Sequence, residues 1–148
     1  MAFRFPLQSI LYLHQSLEHQ QELRLRAANQ QVSRVHHLIQ ELDKRSQNMR
    51  ESRTTEIGAG TTAAELRFVL LSEAAIRQQR QALVSALLRL QKARDEQRKI
   101  FDEARRARET FESLRNRQLR DYERDQRRRS QRQLDDLFLL RQVYLRRG

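Results

Sequence analysis

The sequence predicts an all-α fold, two long helices forming an antiparallel coiled-coil hairpin, and three observations predict it. The only internal glycines are Gly58 and Gly60, and the only proline is Pro6. Glycine and proline cost a helix about 1 and 3 kcal/mol relative to alanine, so their confinement to two places marks the only breaks. Apolar residues recur at alternating steps of three and four on both sides of Gly58, the stripe of a coiled coil rather than the broad face of a globular helix. A third of the 148 residues are charged and few are aromatic, so burial must be linear instead of spherical.

Pro6 suits the first turn of a helix, where its missing N–H is not needed. Helix one is expected over about 6–57. Its seam reads Leu7, His14, Gln21, Ala28, Val35, Leu42 and Met49. Companions follow at Leu11, Leu25, Val32 and Ile39, with Ile10 and Leu17 implying a small phase shift near residue 21, as in a stutter. The turn is expected at 58–61, where Gly58 or Gly60 can supply the positive φ of a helix C-cap. Thr62 followed by Glu65 has the form of a capping box and opens helix two, expected over about 62–146.

Helix two carries Val69, Ile76, Leu83, Ala86, Leu90, Ala93, Gln97, Ile100, Ala104, Ala107, Phe111 and Leu114 on its seam. Folding about residue 59 pairs positions whose numbers total 118. Val35 then faces Leu83, Leu42 faces Ile76, His14 faces Ala104 and Leu7 faces Phe111. Gln21 faces Gln97, which reads either as a polar layer that pins register or as a solvated neutral pair. The chain is thus expected as one hairpin over 1–148, with helix one spanning roughly 75 Å and helix two up to about 130 Å at 1.5 Å per residue. The second helix outruns the first from about residue 113. That overhang ends in the apolar cluster Leu134, Leu137, Phe138, Leu140, Val143, Tyr144 and Leu145, an unpaired helix face suited to docking.

Composition narrows the function. There is no cysteine, which removes disulfides, thiol nucleophiles and thiolate metal sites and is compatible with a reducing cytoplasm. No stretch approaches the ~20 apolar residues of a membrane span. The run from Phe5 to Leu13 lacks a small-residue cleavage site and is not read as a signal peptide. The net charge of +11 rests on 27 arginines and 3 lysines, and residues 115–133 hold eight arginines against Asp121, Glu123 and Asp125. Such a concentration implies an acidic partner, whether a protein ring, a membrane surface or nucleic acid.

Catalytic signals are missing from the sequence. No two of His14, His19, His36 and His37 stand three or four residues apart, so they do not form a metal-ligating helical pair, and His14 reads as a core residue. Gly58-Ala59-Gly60 lacks the strand and the Lys-Ser/Thr sequel of a phosphate-binding loop. The carboxylates read as partners of nearby basic residues, for instance Asp95 with Lys99. The chain is therefore expected to be no enzyme and to take no cofactor. The stretch from Arg124 to Arg132 could neutralise phosphates as a basic DNA-binding helix does, but interspersed Asp121, Glu123 and Asp125 would face phosphate oxygens. Phe68 lies beside the seam and would point outward with Leu71 and Ala75 nearby, a small binding patch or a lone exposed hydrophobe.

Three short motifs, Phe3-Arg4-Phe5-Pro6-Leu7, Thr55-Glu56-Ile57-Gly58-Ala59-Gly60 and Gln133-Leu134-Asp135-Asp136-Leu137, in a chain of this length, together resemble the FliJ family of the bacterial flagellar type III export apparatus. The resemblance implies an antiparallel coiled coil similar to the γ-subunit stalk of rotary ATP synthases. It implies a cytoplasmic protein, peripherally associated with the membrane at the flagellar base, that serves flagellum assembly and through it motility and chemotaxis. Implied partners are the hexameric export ATPase FliI, the cytoplasmic domain of the export gate FlhA, and export chaperones that the protein escorts. The family's gate-contacting row falls on Phe68, Ser72, Ala75 and Gln79, with Ser72 replacing an expected apolar residue and Gln79 a histidine. Its ATPase-contacting region falls on the N-terminal turns and on the tail, at Arg124, Arg127, Arg128, Arg132, Leu134, Leu137 and Phe138. A stalk homologue of the virulence-type injectisomes, or a basic nucleic-acid-binding coiled coil, is the alternative.

Overall fold

The computed structural model describes residues 2–148 and contains two helices, α1 (Gln8–Ile57) and α2 (Ala63–Arg147), with no strand among the described residues. The helices pack against each other in opposite directions. Their contacts group into two compact units, one formed by His19–Asp102 and the other by Met1–Glu18 with Glu103–Gly148.

The turn is made as the capping residues dictate. Gly60 has φ 88°, a conformation open to glycine at no steric cost, whereas Gly58 does not need one. The Glu56 carbonyl, freed at the end of α1, accepts from the Ala59 N–H at 2.9 Å and from the Thr61 hydroxyl at 3.1 Å. Across the turn, the Thr62 N–H donates to Glu65 Oε2 at 2.9 Å and the Glu65 N–H donates to Thr62 Oγ1 at 3.3 Å, a reciprocal capping box. The Thr62 backbone N–H, and after it the Thr62 hydroxyl, hold the Glu65 carboxyl below its ordinary pKa.

At the other end, α1 starts at Gln8 rather than at about residue 6. Pro6 and Leu7 form a turn closed by the Gln8 N–H on the Phe5 carbonyl at 3.2 Å, so the proline sits just ahead of the helix. The non-helical residues before it still pack. Phe5 is buried, and the Phe3 ring lies 5.6 Å from that of Tyr122. Residues of α2 are consequently half-covered as far as Gln126, and exposure becomes continuous only from Arg127. The expected overhang from about residue 113 is therefore shorter.

In the His19–Asp102 unit the core is a narrow seam. Val32, Ile39 and Leu87 are buried together, and Val35, Leu83, Val84 and Leu90 pack against them. Burial along α1 falls at Leu11, His14, Glu18, Gln21, Leu25, Ala28, Val32, Val35, Ile39 and Leu42 without a break in the three–four rhythm. No phase shift occurs near residue 21. Ile10 and Leu17 are exposed, and Glu18 holds the position that an apolar stutter would have given to Leu17.

The second series of α2 holds at Ala86 and Ala107, which are half-buried, but elsewhere lies one residue beyond its expected place. The positions taken by Leu87, Arg94, Phe101, Arg108 and Arg115 are half-buried or buried, whereas Ala93, Ile100 and Leu114 are exposed. An apolar search passes over arginine, but its methylene stem covers a seam while the guanidinium reaches a partner. Arg108 does so in the unit formed with the N-terminus. Burial opposes its charge, yet contacts with Glu18, Glu112 and Glu109 outweigh that and raise its pKa.

Side-chain contacts between the helices also depart from the expected pairing. His14 stacks on Phe111, with ring centroids 4.8 Å apart, and not on Ala104. Its numbers total 125, and Asp43–Arg80, Arg53–Glu73 and Glu18–Arg108 total between 123 and 126. The reason is the tilt of every helical Cα–Cβ bond toward its own N-terminus. In an antiparallel pair the two tilts converge, each shifting a side chain by about one residue, so tips meet at totals somewhat above those of the facing backbones.

Gln21 and Gln97 do meet. Gln97 Nε2 donates to Gln21 Oε1 at 2.7 Å, with a longer approach of 3.5 Å to the Gln21 carbonyl. If this bond sets the register, Gln21→Leu alone leaves a half-buried amide unpaired and destabilises by about 1–3 kcal/mol, while Gln21→Leu with Gln97→Leu recovers most of that loss. Chemical denaturation of the four members of the cycle checks it, and zero coupling would return the pair to a solvated contact. At the turn, Thr62→Ala should destabilise by about 1 kcal/mol. Because the Glu65 pKa is lowered on folding, its contribution is complete above its ordinary pKa of 4.5 and fades as pH falls through the folded value. Thermal melts of the parent and Thr62→Ala proteins should converge on acidification.

Candidate partner-binding surfaces

Two exposed surfaces coincide with the residues expected to carry function. The first lies at the start of α2. Phe68, Ser72, Ala75 and Gln79 follow one another by four, three and four residues and so share one helical face. Phe68 is 71% exposed, a large value for an aromatic ring, and Leu71 beside it is also exposed. Ala75 and Gln79 are exposed, while Ser72 is half-buried. The lower part of this face is therefore opened by Ala75 and Gln79 and recessed at Ser72.

Shallow hollows flank the row. One of about 490 Å³ is lined by Ala63, Ala64, Arg67, Phe68 and Leu71. Another, of about 450 Å³, is lined by Leu38, Glu41, Leu42, Arg45, Gln79, Ala82 and Leu83. The second adds α1 residues that the sequence reading did not include. Leu38 is 46% exposed and stands at the rim beside Gln79, so the surface is built by both helices. The signal that could have found it is a leucine one position outside the α1 seam, next to seam residues Ile39 and Leu42.

The second surface is the tail of α2. Arg124, Arg127, Arg128, Arg132, Leu134, Leu137 and Phe138 are all exposed, and so are Leu139, Leu140, Val143, Tyr144 and Leu145 beyond them. Among the described residues the one ion pair in this stretch is Arg124 with Asp121, at 3.5 Å. Asp135 accepts from Gln131 at 3.1 Å, which occupies one of the two carboxylates that interrupt the basic run. Charge and apolar surface are thus presented together on a helical segment that is exposed throughout from Arg127.

The described residues contain no group of three or more His, Asp or Glu placed to hold a metal ion, and His19 and His37 stand beside Glu22 and Glu41 on exposed faces of α1. No described helix is long and apolar enough to cross a membrane.

Residues 3–148 match the family described as Flagellar FliJ protein, essentially the whole chain. No curated protein and no solved structure aligns significantly with it.

Proposed function

The chain belongs to the FliJ family and is a component of the flagellar protein export apparatus, and from that premise we propose that it acts as a stalk between the export ATPase and the export gate. In this reading the α2 tail engages the hexameric ATPase FliI, the Phe68 face engages the cytoplasmic domain of FlhA, and the protein escorts export chaperones. Its work is mechanical rather than catalytic. ATP-driven changes in the ring move the tail, and the hairpin transmits the movement to the gate-bound face. This places the protein in the cytoplasm, peripherally attached to the membrane through the apparatus.

The observation that carries the proposal is the uninterrupted exposure of α2 from Arg127 to its end. A helix with apolar residues on nearly every side is normally enclosed by protein, and here Leu134, Leu137, Phe138, Leu139, Leu140, Val143 and Leu145 are all in solvent. The arginines at the base of the segment suit an acidic-lined opening, where complementary charge speeds encounter and sets orientation. The Phe68 row supports the second contact in the same way, since a single exposed aromatic with small neighbours is the composition of a compact hot spot.

The ATPase should co-purify with the full chain and assemble into rings more readily in its presence. Leu137→Asp with Phe138→Asp should abolish both effects without lowering the melting temperature, because neither side chain is covered. Phe68→Ala should weaken binding to the purified gate domain by about tenfold or more while leaving ATPase binding intact. Unchanged affinity for the gate domain would remove Phe68 from that interface.

A further inference from the structure

The seam of the His19–Asp102 unit changes character toward the turn. Burial along α1 continues from Leu42 through Ser46, Met49 and Arg53, so serine and arginine take two positions that the rhythm reserves for apolar side chains. On α2, Ile76 is half-buried, with Glu73 and Arg80 about one turn to either side. Serine is too small to fill a seam position. A hollow of about 140 Å³ remains between the helices, bounded by Ile76 and otherwise by polar side chains.

The carboxylates of this hollow are already taken. Asp43 accepts from Arg80 Nε at 2.7 Å, and both oxygens of Glu73 accept from Arg53 Nη1, at 3.1 and 3.2 Å. Arg50 and Arg77 also line the hollow, and among the described residues neither has an ion pair or a hydrogen bond. The half-buried Ser46 hydroxyl has none either. Three donors without acceptors therefore border one space, and two of them carry charge.

From this arrangement we infer that the hollow binds a single phosphate-type oxyanion, inorganic phosphate in its simplest form, bridging Arg50 of α1 and Arg77 of α2 and accepting from Ser46 Oγ. Guanidinium forks match phosphate oxygens in bidentate pairs. A tetrahedral ion presents oxygens in several directions and so meets donors on different helices, whereas a carboxylate presents two in one plane. Volume sets the size. It exceeds the ~10–15 Å³ that one water needs and falls short of the roughly 300–1,000 Å³ of sites that enclose larger ligands, so a lone anionic group fits and a nucleotide does not. Asp43, Arg50 and Arg77 each follow a seam residue by one position, whereas Leu38 and Ala75 precede Ile39 and Ile76 by one, which puts the hollow and the Phe68 row on opposite sides of the seam. An anion held there ties α1 to α2 next to the turn and stabilises the hairpin by mass action. The inference does not depend on the stalk reading.

Calorimetric titration of the full chain with sodium phosphate tests it, against sodium chloride at equal ionic strength. Phosphate should bind saturably at one site per chain and raise the melting temperature, and chloride should do neither. Arg50→Gln with Arg77→Gln should weaken binding about a hundredfold, near tenfold for each charged contact, without lowering the melting temperature in chloride. Ser46→Leu should fill the hollow and abolish the site while the hairpin stays folded. Arg127→Gln with Arg128→Gln removes equal charge from the tail and should leave phosphate binding as it is. The inference is overturned if phosphate binds no better than chloride, or if the Arg50→Gln, Arg77→Gln protein binds it as well as the parent. A tail variant that loses as much also overturns it, since diffuse attraction to a basic chain would explain that. Acetate binding as tightly as phosphate overturns the tetrahedral assignment.

Discussion

The structure depends on a seam one residue wide. Leu87 is the one buried residue of α2, and it packs with Val32 and Ile39 of α1 along a narrow line of contact. A compact domain of similar length would draw stability from a three-dimensional core, whereas here nearly every residue off the seam faces solvent. That constraint has two consequences. Pairing must be specified by direction and register rather than by shape, and most of the surface is free to meet other molecules.

Direction comes from the turn, where Gly60 reverses the chain and the Thr62–Glu65 box starts α2 at a defined residue. Polar groups set into the seam are placed where they would specify register. Gln21 bonds Gln97, and Arg108 meets Glu18 where an all-apolar seam would place leucine. An apolar stripe alone tolerates a slip of one heptad, because leucine meets leucine again seven residues on. A slip that strips Arg108 of its carboxylates or Gln97 of its amide leaves a partly buried polar group unmatched, which carries a cost that an apolar slip does not.

The breaks and the seam were legible because they rest on residues with no substitutes. Only glycine takes φ 88° freely, and only a short hydroxyl followed three residues later by a carboxylate closes the box. The α1 series from Gln21 to Leu42 and the Gln21–Gln97 contact were legible too, but not the stretch across Glu18, where a search for apolar residues turns to Leu17 and reads a phase shift that is absent. What the residues concealed was the second role of arginine. Arg94, Arg108 and Arg115 occupy seam positions on α2, and a search for apolar side chains places that series one residue early, on Ala93, Ile100 and Leu114. The length of the free tail was hidden too, because Phe3 and Phe5 extend packing without helix and bring Tyr122 into contact.

Of the two surfaces, the Phe68 row could be identified from sequence as a helical face, but not the contribution of Leu38, which belongs to it only because the helices lie side by side. The tail could be found as a composition and not as a pattern. Its arginines and leucines follow one another along the chain as two blocks, and the helical turn interleaves them, bringing Leu139 and Val143 to the side of Arg128 and Arg129 and Arg127 to the side of Leu145. A chain whose seam ends at Gln126 yet continues as helix for some twenty residues more holds that conformation without tertiary support. Most helical stability in proteins comes from tertiary packing, so a partner that covers the apolar residues of the tail also stabilises the helix, and binding and helix formation in the tail become coupled.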